Sequence, residues 1–202
     1  MERERGLRIN PSDLLLEIIS IVIAILLALA VNSWQDHLKQ ERLLHQSLVE
    51  IRQELAANDR NLSALYPHHL EVFHAFSALD NAGPATRVPC AQIRDTFRRV
   101  DPRGFGPDIP ASTAWEISQN SQAASEMSFD MRYRITRVYD AQRLTVDAQR
   151  SFIALIISPQ TYAASDCAYA AYAIANTLGD VVAGEQELSS AYGALLGVLP
   201  RK

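Results

Sequence analysis

Residues 14–31 read LLLEIISIVIAILLALAV, with only Glu17 and Ser20 polar, and Trp34 follows three positions later. At about 1.5 Å rise per residue, a helix over 14–34 spans about 30 Å, the thickness of a bilayer's hydrocarbon core. The run is longer and more uniformly apolar than a one-faced core helix needs. It predicts a transmembrane helix over 14–34, a short tail over 1–13 and one extramembrane domain over 35–202. Trp34 suits the far interface, and Arg3, Arg5 and Arg8 suit the headgroups on the near side. A cleaved signal peptide is the rival reading, because Ala28, Leu29 and Ala30 imitate a cleavage site. Glu17 inside the apolar run, and Glu2 and Glu4 among the arginines, count against it.

Beyond Trp34 no breaker occurs before Pro67, and Leu44, Leu48, Ile51, Leu55, Leu62 and Leu65 follow 4-3-4 spacing, with Asn58 completing the heptad register. The span is expected to continue outward as a rod. Its seam either packs against the protein's own helices or pairs with a second copy, in which case Asn58 helps fix the register. Pro67 is expected to end or kink the rod. A second amphipathic segment over 68–79 follows, with Leu70, Phe73, Phe76 and Leu79 on one face.

Farther along, 81–89 with Gly83 and Pro84 reads as a loop, 91–100 as a short helix, and 101–110 as irregular because of its prolines and glycines. Thr113 and Glu116 form a T-x-x-E capping box that should open a helix running to Met127. A longer helix over 129–157 stops before Pro159 and buries Ile135, Val138, Tyr139, Leu144, Phe152, Leu155 and Ile156. Two more are expected over 162–178, stopped by Gly179, and 181–199, capped by Asp180. The alanines of 163–175 would let neighbouring helices approach closely. No run alternates as a strand does. The expected fold is all-α: one N-terminal transmembrane helix continuing into a helical-bundle extramembrane domain.

The span also carries a pattern. Glu17, Ile18 and Ile19, then Ile23, Ile25, Leu26, Ala28 and Leu29, then Asn32, Ser33, Trp34, Gln35 and Asp36 resemble the N-terminal signature of a family of bacterial single-pass proteins of unknown function, roughly E-I-x-x-V-x-I-G-I-x-I-A-L-x-x-N-x-W-N-E. The chain departs from it at Ala24, where the family usually has Gly, and at Ala30 and Ser33. Thr113, Ala114, Trp115 and Glu116 are similar to the T-A-Y/W-E that opens a central helix in those proteins. The resemblance implies topology and a bacterial inner (plasma) membrane location; it implies no enzyme, cofactor or partner.

Charge narrows the partners. The formal net charge is −4, and the clusters Arg98, Arg99, Arg103 and Arg132, Arg134, Arg137 lie among Asp101, Asp130 and Asp140, so both read as solvated surface. Without a concentrated basic face, nucleic acid is not an expected partner. Arg3, Arg5 and Arg8 are dense, whereas Lys39, Arg42 and Arg52 are spread over a long domain. The tail is therefore expected in the cytoplasm and the domain in the periplasm or outside the cell. Cys90 and Cys167 either close one disulfide there or remain two separate thiols.

No chemistry-bearing constellation is recognisable. His68, Glu71 and His74 spread over about 120° of a helix, and neither H-E-x-x-H nor paired Glu-x-x-His repeats occur. No catalytic, cofactor or metal site is expected. Glu17 stands out, because an ionisable group inside an apolar span is costly unless it reaches headgroups, pairs with a partner or handles protons. With Asn32 and Trp34 it makes up the candidate intramembrane contacts. The function expected is a non-enzymatic accessory or scaffold subunit, in contact with the lipid bilayer and binding another membrane protein or itself. The alternatives are a small-ligand sensing module acting through a partner and an enzyme acting on lipid or envelope material.

Overall fold

The computed structural model describes residues 11–80, 87–102, 104–106, 109–163 and 167–201, without the side chains of 11–14 and 17. The tail arginines, the loop residues Gly83 and Pro84, and the side chain of Glu17 therefore lie outside the described residues. Six α-helices are described: α1 (Pro11–Asp80), α2 (Cys90–Val100), α3 (Thr113–Gln119), α4 (Ala123–Glu126), α5 (Phe129–Ile157) and α6 (Ala168–Leu196). A 3₁₀ turn at Pro159–Tyr162 lies between the last two, and no strand occurs among the described residues.

Helix α1 has 70 residues, about 105 Å of continuous rod. The large apolar side chains from Leu15 to Trp34 are 46–64% exposed, so nothing in the described chain covers them. This is a helix segment long and apolar enough to cross a membrane. Farther along the same helix the seam turns inward. Ile51, Leu55, Asn58 and Leu62 are buried, with Leu44, Leu48 and Leu65 half-buried beside them. Of the two readings of the seam, packing against the chain's own helices is the one observed.

Hydrogen-bond partners fix the topology. Along α1, Glu54 meets Tyr139 and Asn58 meets Gln142, so α5 runs parallel to α1. Arg52 donates to the Leu196 carbonyl and His69 meets Glu185, so α6 runs antiparallel to both. Helix α2 closes the end far from the apolar segment, where Ile93 is buried and Phe97 packs on Phe76. Helices α3 and α4 close the near half. Ile51, Leu55, Trp115, Ile135, Leu188 and Tyr192 belong to the near core, and Phe76, Phe105, Phe152, Ile174 and Leu178 to the far one.

Four expectations need correction. Pro67 neither ends the helix nor separates an element: α1 runs through it to Asp80. Pro67 and Ser63, whose carbonyl loses its partner, are both exposed, and water can satisfy that oxygen. Meanwhile the seam continues inward at His69, Val72 and Phe76. Gly179 does not stop a helix and Asp180 does not cap one, because α6 is continuous. A Cβ at Gly179 would lie 3.3 Å from the Phe73 ring, so glycine serves a close helix approach there.

The helix opening at residue 113 ends at Gln119, and a turn at 120–122 separates it from α4. Thr113 is its first helical residue and Ser112 stands at the cap. The Ser112 hydroxyl donates to the Glu116 carboxylate, so the anticipated Thr113 box does not form. Finally, Leu144 is 67% exposed; α5 instead turns Gln142, Thr145 and Gln149 inward beside Ile135, Val138, Tyr139 and Phe152.

Candidate functional site

Two features distinguish the molecule: a bare apolar segment on α1, and a ladder of buried polar side chains that clamps the same helix into the bundle. Just past the segment, Asn32 Nδ2 donates to Asp36 Oδ2 at 3.3 Å, and Lys39 Nζ to Asp36 Oδ1 at 3.3 Å. At about 100° per residue, Asn32 and Trp34 point to opposite sides of the helix, so the two do not form one contact surface.

The lowest rung is Glu54. Its carboxylate accepts from the Tyr139 hydroxyl at 2.7 Å and from the Ala114 backbone N–H at 2.8 Å, tying α1 to α5 and to the start of α3. Burial, together with the Glu54 hydrogen bond and charge, pushes the Tyr139 phenol far above its ordinary value. Trp115 stacks on Tyr139 with ring centroids 5.9 Å apart.

One turn higher, Asn58 reads both polar groups of one residue's backbone: its Nδ2 donates to Ala111 O at 2.8 Å and its Oδ1 accepts from Ala111 N at 3.0 Å. Gln142 completes the rung, donating to Ala111 O at 3.1 Å and accepting from the Tyr192 hydroxyl at 2.8 Å. The Ala111 N–H and carbonyl each need a partner, and these two side-chain amides supply them. Asn58 is thus an internal clamp between helices and loop, not a register residue between two copies.

The highest rung is the most buried. His69 Nδ1 and Glu185 Oε1 lie 2.6 Å apart with both side chains 0% exposed, and Gln149 Nε2 donates to the same oxygen at 2.8 Å. Phe105 stacks on the imidazole at 4.1 Å and touches Phe152 edge-on. Next to it, His68 Nε2 meets the buried Asp101 carboxylate at 3.0 Å. The chain between α2 and α3 is therefore fastened at Asp101, Phe105 and Ala111. Among the described residues, His69 Nε2, Glu185 Oε2 and Gln149 Oε1 have no hydrogen-bond partner.

Sequence reasoning picked out His68, Glu71 and His74 and passed over His69. His68 is fastened to Asp101, whereas Glu71 and His74 are exposed. The signal for His69 was its place on the seam, seven residues after Leu62. Asp101, named from the sequence only as an acidic neighbour of the Arg98 cluster, is buried against His68. Cys90 and Cys167 form a disulfide with Cα atoms 5.0 Å apart, joining the start of α2 to the start of α6, and Cys167 N donates to Val88 O at 2.9 Å. No group of three or more His, Cys, Asp or Glu able to hold a metal occurs among the described residues.

Comparison with models of protein families, with characterised proteins and with solved structures finds no match to this chain. Its own residues carry the functional reading.

Proposed function

We propose that this protein is a single-pass membrane subunit without enzymatic activity, which presents a rigid helical domain on the far side of the bilayer and works by binding another membrane protein. The observation that carries the reading is the dual use of α1: apolar and uncovered over its first turns, then clamped in the bundle by Glu54, Asn58 and His69. An apolar surface of that length has its natural solvent in lipid. The clamps pair polar groups across helices, and the His69–Glu185 pair is sealed from solvent, which favours a structural role over catalysis.

The bundle lies in the periplasm or outside the cell in this reading. The Cys90–Cys167 disulfide suits an oxidising compartment, and the arginine-rich tail suits the cytoplasmic face. Purifying the full-length protein from its own membranes in mild detergent tests the proposal. A stoichiometric co-purifying membrane protein is the expected result; a lone monomer in several detergents would overturn it.

A further inference from the structure

Between α1 and α3, in the half of the bundle nearest the apolar segment, runs a groove of about 530 Å³ lined by Leu43, Ser47, Glu50, Ile117 and Ser118 among others. Leu43 is 47% and Ile117 66% exposed, which is costly apolar surface for two facing helices to leave bare. At the groove the Ser118 hydroxyl is buried and has no hydrogen-bond partner among the described residues. The charged residues lining it are Glu50 and Glu54, and Glu54 is already engaged by Tyr139 and Ala114.

The groove is also aligned with the membrane segment. At about 100° per residue, Leu29, Asn32, Asp36, Leu43 and Glu50 fall within about 60° of one another, one face running from the apolar segment into the groove. From Leu43 to Gln53 the groove follows α1 for about 15 Å, the length of about three helical turns. A third helix lying beside α1 would rest its ridge between α1 and α3 at ordinary interhelical distance.

We propose that this groove seats a basic helix of a different membrane-embedded protein, one that leaves the bilayer alongside α1. The inference rests on the partner-binding reading above and names its surface. Leu43 and Ile117 take the helix's apolar side chains, and Glu50 takes a lysine or arginine. A second copy of this chain is the poorer occupant, because a two-fold mate would set Glu50 against Glu50 and Asp36 against Asp36.

The test places a photoreactive benzoylphenylalanine at Leu43 or at Ile117 of the full-length protein in its own membranes, with His45, on another side of α1, as control. Both groove positions should give an adduct with the same protein, and His45 none. The crosslinked peptide should map to a Lys- or Arg-bearing segment directly following a transmembrane span. Glu50→Lys should lower the adduct yield at least tenfold while the circular dichroism of the bundle is unchanged. An adduct of twice the chain's own mass, one mapping to a soluble loop, one insensitive to Glu50→Lys, or none at all would overturn the proposal. If the unmodified protein still co-purifies with a partner in those cases, only the groove is wrong; if nothing co-purifies, the underlying reading fails as well.

Discussion

Replacing Glu185 by alanine isolates the rung on which the far half of the bundle depends. In the native chain its Oε1 meets His69 and Gln149 at 2.6 and 2.8 Å, and all three residues are at most 1% exposed. The substitution leaves two buried polar groups without a partner, at about 1–3 kcal/mol each. Removing one member of a buried charged or strongly polar pair typically costs about 3–5 kcal/mol in total. We therefore predict a loss of about 3–5 kcal/mol, which at a urea slope of about 2 kcal/mol/M moves the midpoint down by about 2 M.

The assay is urea unfolding of the full-length protein in micelles, followed by circular dichroism. A double-mutant cycle with His69→Leu separates pairing from packing: the two losses should fall short of additivity by at least about 1 kcal/mol. A Glu185→Ala loss under about 1 kcal/mol, or strictly additive losses, would refute the claim that this pair holds α1 to α6.

The disulfide, the buried phenols and the close glycine each yield a further outcome. The disulfide closes a loop with a sequence separation of 77, so Cys90→Ser with Cys167→Ser should cost about 4.5 kcal/mol by the loop-entropy relation, read from the same unfolding curves; an unchanged midpoint would contradict this. At alkaline pH, Tyr139 and Tyr162 keep their protons in the fold, because burial and, for Tyr139, Glu54 raise both above the ordinary phenol value. Both states are protonated below about pH 10; above it only the unfolded chain ionises, so stability should fall as pH rises. Tyrosine absorbance titration of the folded protein should show these two phenols ionising above the ordinary phenol range, and their ionisation within it would contradict the account. Gly179→Leu should lose about 1–3 kcal/mol, because the new side chain must displace the Phe73 ring, which lies only 3.3 Å from where its Cβ would stand; a stabilised variant would show that α6 and α1 are not tightly apposed there.

Much of this fold was legible because its longest elements carry strong local signals. The uninterrupted apolar run announced a helix long and apolar enough to cross a membrane, the heptad spacing from Leu44 to Leu65 announced a packed rod, and Pro159 marked the end of α5. Pro67 and Gly179 misled for one shared reason: each has a local cost, and the packing of the α1 seam and of Phe73 against α6 outweighs it. Leu144 misled differently, since hydrophobicity alone cannot tell which α5 stripe faces the bundle once Gln142 and Gln149 have partners waiting on α1 and α6. The buried rungs were the least legible. A histidine, a glutamine and a glutamate spread from position 69 to 185 carry no spacing signature, and only the antiparallel course of α6 brings them together.

The central claim, a membrane-crossing α1 with its bundle on the oxidising side, is tested most directly by thiol labelling in right-side-out membrane vesicles. With a membrane-impermeant maleimide, Cys90 and Cys167 should stay unlabelled until an impermeant reductant opens their disulfide, and then label fully without permeabilisation. Labelling that requires permeabilised membranes, or that proceeds without reductant, would contradict the account.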